Sequence, residues 1–152
     1  MNTTIQIPAR KTASKLSSIK GAHIALRVPD FEASKKWYIE KLDFRVVHEW
    51  PFGDLQLAYL APANDDKFWI ELLAGANPAP REKFTDLNES LHPEGYHHFC
   101  LNVDSVDETL HELQSRGVKL IDEPFGLPAI GKRLAFFADL DGNLIELAET
   151  LK

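Results

Sequence analysis

The chain has 152 residues, 44% hydrophobic and 26% charged, with a formal net charge of −6. That length and apolar share suit one compact domain, or two small modules sharing a core, and the acidic balance excludes the basic footprint a nucleic-acid binder needs. The single cysteine, Cys100, excludes an internal disulfide; with no apolar secretory signal it points to a reducing cytoplasm, and the short apolar runs leave no membrane span.

Residues 1–20 read as a polar N-terminal extension. Residues 21–28 alternate in the manner of a strand. Pro29-Asp30 breaks it, Asp30 is placed as an N-cap, and Phe31 to Lys41 has helical spacing. Asp43 ends that helix in a tight turn. Three strands are expected near 44–50, 54–61 and 67–74, with turns at Pro51-Phe52-Gly53-Asp54 and Pro62-Ala63-Asn64-Asp65. The first module therefore spans 21–74. The stretch 75–94, rich in proline and polar residues, reads as a linker with room for one helical turn. The second module, 95–152, repeats the plan: a strand at 96–103, a helix at about 105–116 stopped by Gly117, and strands near 118–121, 131–138 and 143–149, with Asp141-Gly142 turning into the last. The predicted class is α+β, built from two tandem βαβββ modules.

The modules share more than their plan. His23-Ile24-Ala25-Leu26-Arg27-Val28 matches His98-Phe99-Cys100-Leu101-Asn102-Val103, and Ile70-Glu71-Leu72-Leu73 matches Ile145-Glu146-Leu147-Ala148. His23 and Glu71 are 48 residues apart, as are His98 and Glu146, and both pairs recur at an offset of 75. Two motifs recurring at one offset indicate a duplicated unit.

Successive strand residues face opposite ways. Ile24, Leu26 and Val28 form one apolar face, which packs under the helix, and leave His23, Ala25 and Arg27 on the other. Phe99, Leu101 and Val103 do the same and leave His98, Cys100 and Asn102, so phase selects His98 over His97. Glu71 and Glu146 alternate with apolar neighbours and share the faces of their histidines. If the modules pair about a pseudo-twofold axis, two His and two Glu converge. A carboxylate in an apolar strand is costly unless paired or metal-bound, and a nitrogen-and-oxygen donor set of this kind suits Zn²⁺, Ni²⁺, Co²⁺ or Fe²⁺. His48, His92, His97 and His111 lack this support and read as surface or linker residues.

The segments HIALRVPDFEASKKWY, FWIELL, HHFCLNVDSV and RLAFFADLDGNLIEL resemble the vicinal oxygen chelate superfamily, which includes glyoxalases, bleomycin-resistance proteins and extradiol dioxygenases. The likeness runs over about 21–149. It implies a curved mixed sheet around a central cleft, with one divalent metal ion, Zn or Ni foremost and Fe, Co or Mn compatible, on His23, Glu71, His98 and Glu146. The His-Glu-His-Glu order resembles glyoxalase I and is close to methylmalonyl-CoA epimerase. That pattern implies proton transfer, an isomerisation or epimerisation, on a small carbonyl substrate chelated through vicinal oxygens, with Glu71 or Glu146 as base. Extradiol dioxygenases use two His and one Glu with iron, and bleomycin binders lack the set. An iron-dependent dioxygenase and a non-catalytic small-molecule binder are therefore the alternatives.

Arg27 falls where bacterial glyoxalase I contacts the glutathione carboxylate, or else it pairs with a nearby acid. The Gly- and Pro-rich loop 122–133 ends in Lys132-Arg133 and either meets an anionic substrate tail or is a plain solvated hairpin. Phe68, Trp69, Phe125, Phe136 and Phe137 are candidates for an apolar wall, or for core. Family members of this size imply a homodimer. Three positions depart from the family pattern: Asp43 in place of the glycine of Leu-Gly-Phe, Leu140 in place of the proline of Asp-Pro-Asp-Gly, and Gly75 in place of the Asn that follows the first Glu ligand in glyoxalase I.

Overall fold

Each module starts with a strand that alternates apolar and polar residues and runs into a capped helix. In the computed structural model, which describes residues 5–151, β1 (His23–Val28) leads to α1 (Phe31–Leu42). The Asp30 carboxylate accepts the Ala33 N–H at 2.9 Å, satisfying one of the donors that a helix start leaves free. The helix ends at Asp43, whose φ of 53° is left-handed. Glycine is the usual residue there, and aspartate is one of the few others that tolerate it. Residues 1–4 of the expected extension lie outside the described residues; residues 5–22 form turns without helix or strand and are exposed.

Three strands complete the first sheet: β2 (Arg45–Phe52), β3 (Leu55–Ala61) and β4 (Trp69–Ala74). The order is β1-β4-β3-β2, with β1 parallel to β4 and the other pairs antiparallel. Pro51 and Phe52, expected in the turn, belong to β2 instead. Because β2 is an edge strand, a proline there need not break a ladder on both sides. The turn itself falls at Gly53, with φ 57°. The linker contributes one short helix, α2 (Leu87–Ser90), capped by Asp86.

The second module repeats this as β5 (His98–Asn102), α3 (Val106–Ser115), β6 (Phe125–Leu127), β7 (Lys132–Ala138) and β8 (Leu144–Thr150), in the order β5-β8-β7-β6. Ser105 caps α3 through the Glu108 N–H, and Gly117, with φ 80°, turns the chain away from its end. The strand expected at 118–121 is only a bridge between Leu120 and Phe137, and the paired strand lies further on, at 125–127. Val118 is drawn into the core, the Asp122 carboxylate caps the Leu87 N–H, and Pro124 has no donor. Pairing therefore resumes at Phe125, whose ring stacks on Phe136 at 6.3 Å.

The two sheets remain separate within the chain, and their apolar faces share one core. Leu26, Val28, Ile70 and Leu72 of the first sheet and Phe99, Phe137, Ile145 and Leu147 of the second join Phe31 and Tyr38 of α1 and Leu110 and Leu113 of α3 in a single cluster. The helices thus lie between the sheets. Among the described residues no helix is long and apolar enough to cross a membrane.

Polar contacts lock α1 to the β7–β8 hairpin. Tyr38, 1% exposed, donates to Asp139 Oδ2 at 2.7 Å, and Ser34 donates to Asp141 Oδ2 at 2.7 Å. Asp139 also accepts the backbone N–H groups of Asp141 and Asn143 and the Asn143 amide, so its lone pairs are heavily used. Burial, then the Asp139 charge, holds the Tyr38 phenol well above its ordinary pKa, so it stays a donor. Tyr38→Phe leaves the buried Asp139 carboxylate one donor short and lowers unfolding stability by about 1.5–3 kcal/mol. Urea denaturation of the two proteins checks this, and a change of only a few tenths would mean that the hairpin docks without this bond.

Candidate functional site

In the parallel β1–β4 pair His23 aligns with Trp69 and Ala25 with Glu71, so His23 and Glu71 are diagonal neighbours on one face. The β5–β8 pair has the same register: His98 aligns with Leu144 and Cys100 with Glu146. Identical pairing yields the same contact twice. His23 Nε2 lies 3.3 Å from Glu71 Oε2, and His98 Nε2 lies 2.8 Å from Glu146 Oε2. The carboxylate side chains are only 13% and 14% exposed, against 35% and 30% for the imidazoles, so the acids sit low on the sheet with the histidines above them.

The two pairs do not converge within one chain. No group of three or more His, Cys, Asp or Glu is gathered for a metal ion among the described residues. With both inner sheet faces committed to the core between them, the His–Glu faces point outward. Each module therefore presents a half-site of one imidazole nitrogen and one carboxylate. The donor chemistry fits half of a four-coordinate divalent site, with both ligand types that Zn²⁺ and its neighbours take.

The second half-site is more elaborate than the first. His97 Nδ1 lies 2.7 Å from His98 Nδ1, and His97 Nε2 lies 2.9 Å from the hydroxyl of Ser90, a buried residue of α2. Burial, helped by the charges of His98 and Arg81, pushes the His97 imidazole below its ordinary pKa. Sequence reasoning set His97 aside because its phase is wrong for the His98 face. The signal for it was the His97-His98 doublet itself, but its partner Ser90 is brought in by tertiary packing. Cys100 lies beside Glu146. Partial burial, then the Glu146 charge, pushes the thiol up to about 12.

Aromatic rings extend the first half-site across its sheet. Tyr59 lies 5.1 Å from His23, 5.2 Å from Trp69 and 4.6 Å from Trp50, and Trp50 stacks on His48 at 5.5 Å. Trp50 and Tyr59 were not singled out in the sequence, and His48 was read as a surface or linker residue; the β2–β3 pairing, invisible there, brings all three to the His23 face. On the other sheet Phe136 meets His98 edge-on at 5.3 Å. Of the remaining wall candidates, Phe137 is in the core with no exposure, and Phe68 packs on Phe99 at 5.9 Å.

The three cations lie differently. Arg27 donates to the carbonyls of Leu73 and Gly75 at 2.6 and 2.5 Å, clasping the end of β4. Lys132 follows the phase of Phe136 on the outward face of β7 and donates to Thr150. Arg133 has the opposite phase and pairs with Asp107 of α3 at 2.8 Å. Half of the loop 122–133 is occupied by β6 and a 3₁₀ turn at Pro128–Ile130. A cavity of about 650 Å³ runs between the end of α1, β5 and α3; it touches Cys100 but neither His–Glu pair.

The chain matches the Glyoxalase/Bleomycin resistance protein/Dioxygenase superfamily over residues 20–147. It is 32% identical over 130 residues to the uncharacterized protein YwkD of Bacillus subtilis, covering 84% of this chain and 94% of that one. It is 26% identical over 152 residues to the mitochondrial methylmalonyl-CoA epimerase of Bos taurus, covering 91% and 85%. Among solved structures, SMU.1112c superposes with a TM-score of 0.71 at 26% identity, covering 87% of this chain and 99% of that one.

The state of Cys100 is directly testable. At pH 8 a thiol titrating at about 12 reacts with iodoacetamide on the order of a thousandfold more slowly than a free cysteine. Its rate should climb with pH well past 9, and Glu146→Gln should accelerate it by removing the adjacent charge. A rate at pH 8 equal to that of free cysteine would place Cys100 away from Glu146.

Proposed function

The chain belongs to the Glyoxalase/Bleomycin resistance protein/Dioxygenase superfamily, and on that premise we propose that it is a metal-dependent enzyme moving a proton on a small carbonyl substrate bound through two adjacent oxygens. The observation that carries this reading is the recurrence of one His–Glu diagonal in the same register of both sheets. Half-buried acids are expensive unless paired or metal-bound, and both of these recur on equivalent diagonals beside a histidine.

In this proposal His23, Glu71, His98 and Glu146 hold one divalent ion, with the two half-sites supplied by different chains of a homodimer. Each chain turns its half-sites outward and leaves β1 and β5 as free sheet edges. A twofold partner facing its second module to this chain's first completes the set, and symmetry makes a second set at the same time. When bound, Zn²⁺ or Ni²⁺ foremost, or Fe²⁺, Co²⁺ or Mn²⁺, acts as a Lewis acid toward the substrate oxygens. Glu71 or Glu146 takes the acidified proton from the adjacent carbon and returns it on the neighbouring position or the opposite face. The rings of Trp50, Tyr59 and Trp69 receive the apolar part of the substrate, and Lys132 is the cation open to an anionic group on it. Arg27 and Arg133 act on the scaffold, through the end of β4 and through α3.

Glutathione is not part of the proposal. The residue after β4, where glyoxalase I carries an Asn, is Gly75 with φ 111°, and a Cβ there would sit 2.5 Å from the Asp54 carbonyl oxygen. No side chain fits this backbone, and the guanidinium of Arg27 is already engaged with the Gly75 carbonyl.

Calorimetric titration of chelator-stripped protein with Zn²⁺ and Ni²⁺ should give one ion per chain, lost in both His23→Ala and His98→Ala. Unfolding and refolding those two variants together should restore about one quarter of the wild-type sites, because random pairing makes half the dimers mixed and each mixed dimer has one intact set. Tight binding with no recovery on mixing would place all four ligands in one chain, and no binding at all would move the function to a metal-free ligand binder. Glu146→Gln should cut turnover of an epimerisable 2-oxo or thioester substrate at least about a hundredfold, and undiminished turnover would remove it as the base.

A further inference from the structure

We propose that the N-terminal arm, residues 5–22, docks on a second copy of this chain, with Leu16 and Ile19 entering the cavity between the end of α1, β5 and α3 and the arm's lysines meeting acids there. Every residue of the arm is exposed. Ile5, Ile7, Leu16 and Ile19 are 58, 88, 68 and 73% exposed, four large apolar side chains in one short stretch. Apolar residues grouped in this way mark an interaction surface. Local structure sorts them. The Ser17 N–H donates to the Ser14 carbonyl at 3.0 Å and the Ile19 N–H to the Leu16 carbonyl at 3.1 Å. Bonds of that span make 3₁₀-like turns, in which positions three apart are eclipsed, so Leu16 and Ile19 share one side. Charge sets the arm apart as well. Residues 1–20 hold four of the 17 basic residues and none of the 23 acidic ones, which leaves residues 21–152 with 13 against 23, a formal charge of −10.

The cavity complements the arm in both respects. Phe44, Phe68 and Leu101 give it apolar walls, and its volume of about 650 Å³ is that of a site able to hold a ligand-sized group. Its two cations are already engaged: Arg116 pairs with Asp43 and Glu112, and Lys41 donates to the Arg116 carbonyl. Asp65 and Glu108 also line it, and neither is in a salt bridge among the described residues. Lys15 and Lys20, on either side of the Leu16–Ile19 turn, supply the missing cations. No arm residue lines the cavity of its own chain. That the occupant comes from a partner rests on the two-chain metal reading above. In that dimer His23 of one chain and the partner's His98 share an ion, so β1 lies along the partner's β5. A twofold-like axis rising through the ion reverses strand direction. The residues before His23 therefore run past those that follow the partner's His98. These are Cys100 to Val103, which line the cavity.

Two measurements on the full chain test this. Sedimentation equilibrium of the chelator-stripped protein should show a dimer, and Leu16→Ser with Ile19→Ser should raise its dissociation constant at least about tenfold, because two apolar side chains leave the interface. Both positions are exposed in the single chain, so the circular dichroism spectrum should not change. Glu108→Lys should weaken the dimer too, and adding Lys15→Glu and Lys20→Glu to it should recover part of the loss. Isotope-filtered NOE spectra of dimers refolded from labelled and unlabelled chains should join the Leu16 and Ile19 methyls of one copy to the rings of the partner's Phe44 and the partner's Phe68. Wild-type dimerisation in the Leu16→Ser, Ile19→Ser variant, or methyl contacts confined to one copy, would overturn the docked arm and leave the metal reading standing. Arm contacts between copies in a protein that binds no Zn²⁺ or Ni²⁺ would uphold the arm while the metal reading falls. A wild type that stays monomeric at every concentration would overturn both.

Discussion

Each sheet has two faces, and the fold commits one face of each to the same two helices. Phe31 and Tyr38 of α1 and Leu110 and Leu113 of α3 fill the space between Leu26, Ile70 and Leu72 on one side and Phe99, Ile145 and Leu147 on the other. Once both apolar faces are buried in a shared core, the faces with the histidines and glutamates have nowhere to point but outward. The Tyr38–Asp139 and Ser34–Asp141 bonds make this arrangement specific, because they join the first helix to the last hairpin. A chain built this way carries two separate His–Glu pairs.

Much of the fold was legible because its periodicity is local. The alternation in β1 and β5 separates His23 from Ile24 and His98 from His97 without any structure, and the offset shared by the two motifs carries the duplication. The cap at Asp30 follows from its short side chain at a helix start. What the chain hid is what depends on pairing partners. The placement of β6 at 125–127 turns on Pro124 and on Phe125 finding Phe136. The ladder of Trp50, Tyr59 and Trp69 depends on a bulge between Val46 and His48 that shifts the β2 register. The separation of the two His–Glu pairs is a matter of how modules dock, which the spacing of the motifs leaves open.

Duplication explains the likeness of the two half-sites but not their difference. The same parallel register gives each a His and a Glu, yet only the second acquired partners from the linker. That asymmetry has a physical source: α2 folds back over the second sheet, where Leu87 packs on the small cluster of Leu134, Phe136 and Ala148 and brings Ser90 to His97. The first sheet, in contrast, is extended by exposed edge residues such as Val46, Val47 and Phe52. One pair is braced by the linker of its own chain, and the other lies beside an exposed sheet edge.

The departures from the family pattern belong to the same logic. At Asp43 a left-handed residue is needed, and where glycine would serve by lacking a side chain, aspartate serves and also holds Arg116 at 2.9 Å. That contact ties the end of α1 to the end of α3, the two helices on which the shared core depends. At Gly75 the reverse holds: the backbone runs so close to Asp54 that only glycine fits, and Arg27 uses the freed carbonyl. One substitution strengthens the scaffold behind the site and the other removes a side chain from its edge. The His–Glu pairs recur in both modules, while the residues beside them depart from the family pattern.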